Sequence, residues 1–299
     1  MPIGSAEHPF YGTINGNGHT ITGLTNGSLT STADAFSTFT TKSYGSAYGF
    51  IGLAGAPVEG KNLVVKDLNF EDVNIKMDMF GNCVGALLGY AMDQSHFAEF
   101  QGNTNTGLAK VEINNVKVLS GIVSGNNNVA GLIGKSYSHE TEMKNCSNAA
   151  EVKAKYNSNS SRAAGLISFT ISPKITMSGN TNSGTVSAGT YLAGLISLNY
   201  SGGYNVACDF EILNNTNSGK LIYTGTSASN NMAYIVNVSS KGWTEALAGS
   251  KYNFGNDTTK NVNTAPAVEM PNAGGTKTPV LVQTAINSTV EANGTSASK

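Results

Sequence analysis

A short apolar block built round a glycine recurs along the chain and limits what the chain can fold into. Val129-Ala130-Gly131-Leu132-Ile133-Gly134, Ala163-Ala164-Gly165-Leu166-Ile167-Ser168 and Leu192-Ala193-Gly194-Leu195-Ile196-Ser197 are near copies. Ala47 to Gly52, Val84 to Gly89 and Met232 to Asn237 are looser ones. A polar turn recurs out of phase with the block, at Asn145 to Val152, Gly179 to Val186 and Asn214 to Leu221. The stretch from Gly179 to Ser197 contains both halves. Such self-similarity marks a chain whose single unit cannot bury its apolar face until neighbours stack on it.

The first large apolar residues of the blocks, Phe50, Leu87, Leu132, Leu166, Leu195 and Ile235, lie 37, 45, 34, 29 and 40 residues apart. A helical array holds its period more strictly and uses more Leu, Ala, Glu and Lys. A parallel β-coil absorbs the scatter at its corners. Each period holds three candidate strands: an Ile/Val/Leu run before the turn, a Thr-Val run after it, and the Gly-Leu-Ile block. The expectation is an all-β, single-domain, right-handed parallel β-helix with three short strands per irregular coil. Its coils stack at the ~4.8 Å spacing of paired strands. The β-helix spans residues 1–240 and a C-terminal cap spans 241–257, with Trp243, Tyr252 and Phe254 as capping side chains. The tail, 258–299, with Pro266, Pro271, Pro279 and Gly274-Gly275, reads as a linker. Within it Val280 to Ile286 alternates and is suited to add as a strand to this molecule or to a partner.

The alternation of an Asn-x-x-Asn-x-Gly-x-Val turn with a Gly-Leu-hydrophobic-Gly block resembles the GLUG-motif β-helix repeats of bacterial surface and secreted proteins. Gly131 to Gly134 matches the four-residue motif in full. Gly165 to Ser168 and Gly194 to Ser197 carry Ser at its last place. Phe10 to Ile21 also resembles the coil that precedes such repeats. The resemblance covers about residues 2 to 240 and implies an architecture; it implies no particular chemistry.

Composition narrows the function classes. Charged residues make up 12% of the chain and the formal net charge is −1, with Arg162 the single arginine. That balance gives no electrostatic footprint for nucleic acid or an anionic membrane. No apolar run approaches the ~20 residues of a membrane span. Cys83, Cys146 and Cys208 cannot all pair within one molecule, and they read as buried free thiols. A secretory signal is missing. Met1-Pro2-Ile3-Gly4 reads as the start of a piece cut from a longer exported protein, which places the chain outside the cell or on its surface; a native start points instead to a virion or cytoplasmic protein.

The residues suited to catalysis do not assemble into a motif. Gly16 and Gly18 sit in strand corners, because no helical pattern follows them as a phosphate loop requires. His19 is a corner residue. Asp93, His96 and Glu99 lie in an insertion from Tyr90 to Leu108, at spacings that one helical turn brings together. His139-Glu140-Thr141-Glu142-Met143 begins like a zinc-peptidase helix, but Met143 stands where the second ligand must be. The seven Asp are scattered over different repeat positions. No cofactor or metal is expected, and the chain reads as a non-enzyme. A β-helical carbohydrate-active enzyme is the alternative from another class, and a phage or filament structural protein a third.

Three sets of residues carry the remaining expectations. Asn148, Asn182 and Asn217 occupy one place in successive turns, where stacked amides form a hydrogen-bonded ladder. Leu132, Leu166 and Leu195 form one core column. Tyr90, Tyr137, Phe169 and Tyr200 follow the blocks by one to three residues and align along one edge, with Lys135, Ser136 and Asn199 between them. Such a row suits the C–H faces of sugars, or else seals a corner. The function expected is adhesion, glycan or protein-ligand binding, or envelope assembly. Self-association through the coil ends or the tail is a further expectation.

Overall fold

Leu63, Val65, Leu68 and Phe70 are buried and their neighbours are not, so Lys61–Glu71 forms a half-buried strand. The same alternation builds strands along the chain, and among the described residues there is no helix. In this computed structural model residues 2–5, 8–25, 46–56, 60–77, 81–92, 108–155, 161–199, 209–226, 231–238, 251–284 and 297–298 are described. The strands join four sheets of thirteen, seven, six and seven strands, which we number 1 to 4 in that order. The chain visits them in turn. Glu140–Lys144 and Ser147–Asn148 lie in sheet 1, Glu151–Ala154 in sheet 2, Arg162–Ala164 in sheet 3 and Ile167–Ile171 in sheet 4; Lys174–Ser178 then re-enters sheet 1. Each strand pairs in parallel with its counterpart one round on. Parallel sheets visited in rotation are compatible with a β-helix.

Three strands per round were expected and four sheets are found, because the apolar block is two strands and not one. Asn128–Ala130 closes sheet 3, Gly131-Leu132 turns the chain, and Ile133–Tyr137 opens sheet 4. Leu132, Leu166 and Leu195 fill the inside of that corner with no exposed surface. Leu166 N–H donates to Leu195 O at 3.2 Å, and Leu195 N–H to Ile235 O at 3.0 Å.

Opposite this corner stands the polar turn. Asn148 Nδ2 donates to Asn182 Oδ1 (3.0 Å), Asn182 Nδ2 to Asn217 Oδ1 (2.9 Å) and Asn217 Nδ2 to Asn263 Oδ1 (3.0 Å). The second amide proton of each satisfies a turn carbonyl, of Ala150, Gly184 and Gly219 respectively. A Cβ on Gly131 would overlap Asn148 Oδ1 and the Gly165 carbonyl, and Gly165 stands in the same relation to Asn182 and Gly194. The glycine of the block is therefore dictated by the asparagine of the turn.

A second ladder escaped the sequence reading. Asn180 Nδ2 donates to Asn215 Oδ1 (2.9 Å) and Asn215 Nδ2 to Asn261 Oδ1 (3.0 Å). Their remaining protons go to Met143 O and Met177 O. Cys146 holds the next place in this column. Its N–H donates to Asn180 Oδ1 and its thiol to Ile113 O. On the rim of the same bend Asp67, Asn115, Asn145, Gly179 and Asn214 all have φ between 52° and 68°. That region favours Gly, Asn and Asp.

The tail requires a correction. Over its described part, 258–284, strands replace the expected linker, and the strand expected within Val280 to Ile286 is added to this molecule as Val282–Thr284. Val262–Asn263, Val268–Glu269 and Val282–Thr284 continue sheets 1, 2 and 4. The reason is that Asn261 and Asn263 extend the two ladders while Val268 and Met270 enter the core. Tyr252 and Phe254 are buried; Trp243 lies outside the described residues.

The outer face of sheet 1 carries a column of alternating charge, Lys110, Glu140, Lys174, Asp209 and Lys251, each opposite the next. Glu140 reaches Lys110 at 3.4 Å and Lys174 at 3.1 Å. Beside it Glu142 meets Lys110 at 2.6 Å. Burial opposes both charges of that pair. The hydrogen bonds and charges of Glu142 and Glu112 on the lysine, and of Lys110 and Lys144 on the glutamate, together outweigh it, holding the lysine above and the glutamate below their ordinary ranges. Slipping one round would set Lys174 against Lys110, so the column opposes mis-stacking.

Two outcomes are expected. Cys146→Asn places an amide where Asn180 Oδ1 and the Ile113 carbonyl already wait, so it should raise stability by about 1 kcal/mol at pH 7. It should also remove an alkaline loss: burial pushes the Cys146 thiol up to about 12. Its contribution is thus complete below the unfolded value of about 8.5 and disappears between the two. Urea unfolding at pH 7 and pH 10 measures both, and a destabilised variant would contradict the ladder assignment. Glu140→Lys, which lines up three lysines, should cost on the order of 1 kcal/mol. Glu140→Gln, which removes the charge without reversing it, should cost clearly less, and an equal loss in the two variants would show that the alternation of sign contributes nothing.

Candidate functional site

The strand of sheet 4 doubles back against the strand of sheet 3 that precedes it, and the closeness selects small residues. Ala130, Ala164, Ala193 and Ala233 align along sheet 3 without exposed surface. At the last place of the apolar block a Cβ on Gly134 would overlap the Val84 backbone, and Ser168 Oγ donates to Arg162 O at 2.9 Å. Two columns of larger residues flank this seam. On sheet 3 Cys83, Asn128, Arg162 and Tyr191 stand opposite one another in that order. On sheet 4 the column runs Tyr90, Lys135, Phe169, with Tyr137 two residues further along its strand.

The flanking columns form an alternating series of rings and cations. Lys135 Nζ lies 5.0 Å from the Tyr90 ring centroid, 4.6 Å from that of Tyr137 and 5.5 Å from that of Phe169. The Arg162 guanidinium lies 5.2 Å from the Phe169 centroid and 5.4 Å from that of Tyr191. All these distances are within the ~6 Å at which a cation feels the ring quadrupole. Arg162 Nη1 also donates to Asn128 Oδ1 at 3.2 Å, which fixes the plane of the guanidinium. Rings meet rings as well: Tyr90 and Tyr137 are edge-to-face at 5.7 Å, Tyr137 and Phe169 tilted at 5.9 Å. Burial lowers the Arg162 pKa, with Tyr191, Tyr137 and Cys83 opposing the shift. Burial raises the Cys83 thiol against Lys135, Asn128 and Arg162. What the cluster offers chemically is hydrogen-bond donors and positive potential framed by aromatic rings.

The expected aromatic row is changed in two ways. Tyr90 is 1% exposed and packs with Ala47, Leu53, Cys83 and Met92, so it supports the face from beneath and presents no ring to a ligand. Its side chain points into the angle between two sheets that a one-strand reading of the block could not foresee. Tyr137 and Phe169 are half-buried, and Lys135 stands over both. Tyr200 lies outside the described residues, as do Asp93, His96, Glu99 and Cys208. Arg162, Tyr191 and Asn128 were missed. The signal for them existed, since each stands three residues before the glycine of its block.

Glu140–Lys144 forms a strand and not a helix, with His139 just before it. Glu140 and Glu142 face outward onto lysines and Met143 is buried in the core. Among the described residues no group of three or more His, Cys, Asp or Glu could hold a metal ion, and no helix is long and apolar enough to cross a membrane. No protein-family model matches the chain, and neither a curated protein nor a solved structure matches it.

Cys83 and Cys146 are both buried and unpaired, and Cys83 lies under the cation–ring series. Because the thiolate is the reactive form, a Cys208→Ser variant should show no rapid labelling by a thiol reagent at pH 8 until it is unfolded. Rapid labelling of one thiol, located at Cys83 by mass spectrometry, would show that the seam between sheets 3 and 4 is open.

Proposed function

We propose that the chain is a right-handed parallel β-helix of the GLUG-repeat kind, borne on a bacterial surface or secreted, which binds glycan without turning it over. The parallel pairing of strands with their counterparts in successive rounds supports the architecture. The general handedness of parallel crossover connections favours the right-handed form. The observation that carries the binding function is the cation–ring series from Tyr90 to Tyr191, on the outer faces of sheets 3 and 4. Half-buried Tyr137, Phe169 and Tyr191 present edges and hydroxyls beside the two cations, a combination suited to sugar rings with hydrogen-bonding substituents.

A glycan array read with the intact protein tests this, followed by a search for released products from every glycan that binds. Binding without product formation is expected. Tyr137→Ala with Tyr191→Ala should weaken binding at least roughly tenfold, a loss of about 1.4 kcal/mol, while the melting temperature falls by only a few degrees. Product release would favour the enzyme reading. Unchanged binding by the double variant would move the site elsewhere.

A further inference from the structure

We infer that the first round of the fold is an interaction surface whose occupant is a second copy of this chain, joined head to head about a twofold axis. Gly12–Asn15 and Thr20–Thr22 lie in parallel on the two halves of Lys61–Glu71. Among the described residues no strand pairs with their other side. Gly16 N–H donates to Lys66 O at 2.8 Å and Gly23 N–H to Glu71 O at 2.9 Å, while His19 O accepts from Asn69 N–H. By the period of two, Thr13, Asn15, Thr20 and Thr22 therefore turn their backbone groups away from the second round. All four are exposed. The side chains agree with the backbone. Ile14 and Ile21 pack on the core but remain partly exposed, whereas the residues that follow them in their rows, Val65 and Ile113, Phe70 and Val118, have no exposed surface.

A row of unpaired strand groups beside half-covered apolar side chains is a template for another strand, and edges that must stay single carry Lys, Pro or a bulge. From Phe10 to Leu24 the chain has no Lys, Arg, Asp, Glu or Pro. At the far end of the fold two edges are instead closed by antiparallel strands, Ala297–Ser298 on Lys251–Asn253 and Thr276–Lys277 on Val268–Glu269. Head-to-tail stacking would have to displace these strands. A second copy suits the near end because the edge is complementary to itself. The turn Gly16 to His19, closed by His19 N–H on Gly16 O at 2.8 Å, separates two arms of similar length. An axis through this turn lays each arm antiparallel on the other arm of the second copy. Thr13 then faces the partner's Thr22, Ile14 the partner's Ile21 and Asn15 the partner's Thr20. The residues with outward backbone groups meet one another, the isoleucines meet on the core side, and no charge opposes the approach. Such cross-strand pairs are favourable ones.

Sedimentation velocity of the full chain tests this. The mass should rise from one chain toward two between about 1 µM and about 200 µM, the range suited to a small interface. Thr20→Pro with Thr22→Pro removes two outward N–H groups and leaves the inward bonds in place. This variant should stay monomeric throughout, with a melting temperature within a few degrees of the parent. The register has its own test in a Cys208→Ser background. Thr13→Cys protein mixed with Thr22→Cys protein should form a disulfide-linked dimer on mild oxidation at least roughly tenfold faster than either alone, since directly opposed strand residues are within disulfide reach. Both positions are exposed, which keeps the inference falsifiable should the proline variant fail to fold. A parent that is monomeric at every concentration would overturn the inference, as would association of a folded proline variant equal to the parent's. Growth beyond two chains would show head-to-tail stacking and overturn the twofold arrangement. Cross-linking no faster in the mixture than in the separate proteins would do the same.

Discussion

The amide ladder running from Asn148 through Asn182 and Asn217 to Asn263 is the interaction on which the other features depend. A buried amide has two protons and a carbonyl to satisfy, and leaving any of them unpaired costs more than a hydrogen bond returns. Here one proton closes the local turn and the other reaches the next round, so each residue needs a neighbour in register. The ladder occupies the space in which the apolar block turns, and only glycine fits at Gly131, Gly165 and Gly194. Turn and block are thus one steric unit seen from two sides.

That unit also explains where variation is tolerated. Successive ladder residues lie 34, 35 and 46 positions apart, yet the hydrogen bonds between them remain 2.9–3.0 Å long. The difference in chain length between ladder residues thus leaves the hydrogen bonds that join them unchanged. On the outer face of sheet 1 the charge column reinforces the same register from outside. Single exposed ion pairs contribute little, but a column of alternating sign discriminates between the right neighbour and the one beyond it.

The candidate site follows from the corner that the glycine creates. Because the chain turns sharply at Gly131-Leu132, the outer faces of sheets 3 and 4 close toward each other, and small residues line the seam. Larger residues are admitted only on its flanks. There Asn128, Arg162 and Tyr191 on one side meet Lys135, Tyr137 and Phe169 on the other. Residues about seven apart in the chain, such as Arg162 and Phe169, become partners through this fold-back.

Much of the architecture was legible in the residues themselves. Period-two alternation in Lys61–Glu71, the recurrence of Asn148, Asn182 and Asn217, and the glycine-centred block specify strands, stacking and a buried polar line, since each is a local pattern with a local physical cause. The second ladder was obscured by Cys146 in its column. The strands that the tail adds were hidden by prolines whose positions do not interrupt Asn261 and Asn263. The charge column and the cation–ring series could not be read at all, because their members are either 30 to 42 residues apart, as along Lys110, Glu140, Lys174, Asp209 and Lys251, or on strands whose outer faces meet only after the chain folds back. Local propensity determined which segments are strands; which side chains share a surface was decided by the register of one round on the next.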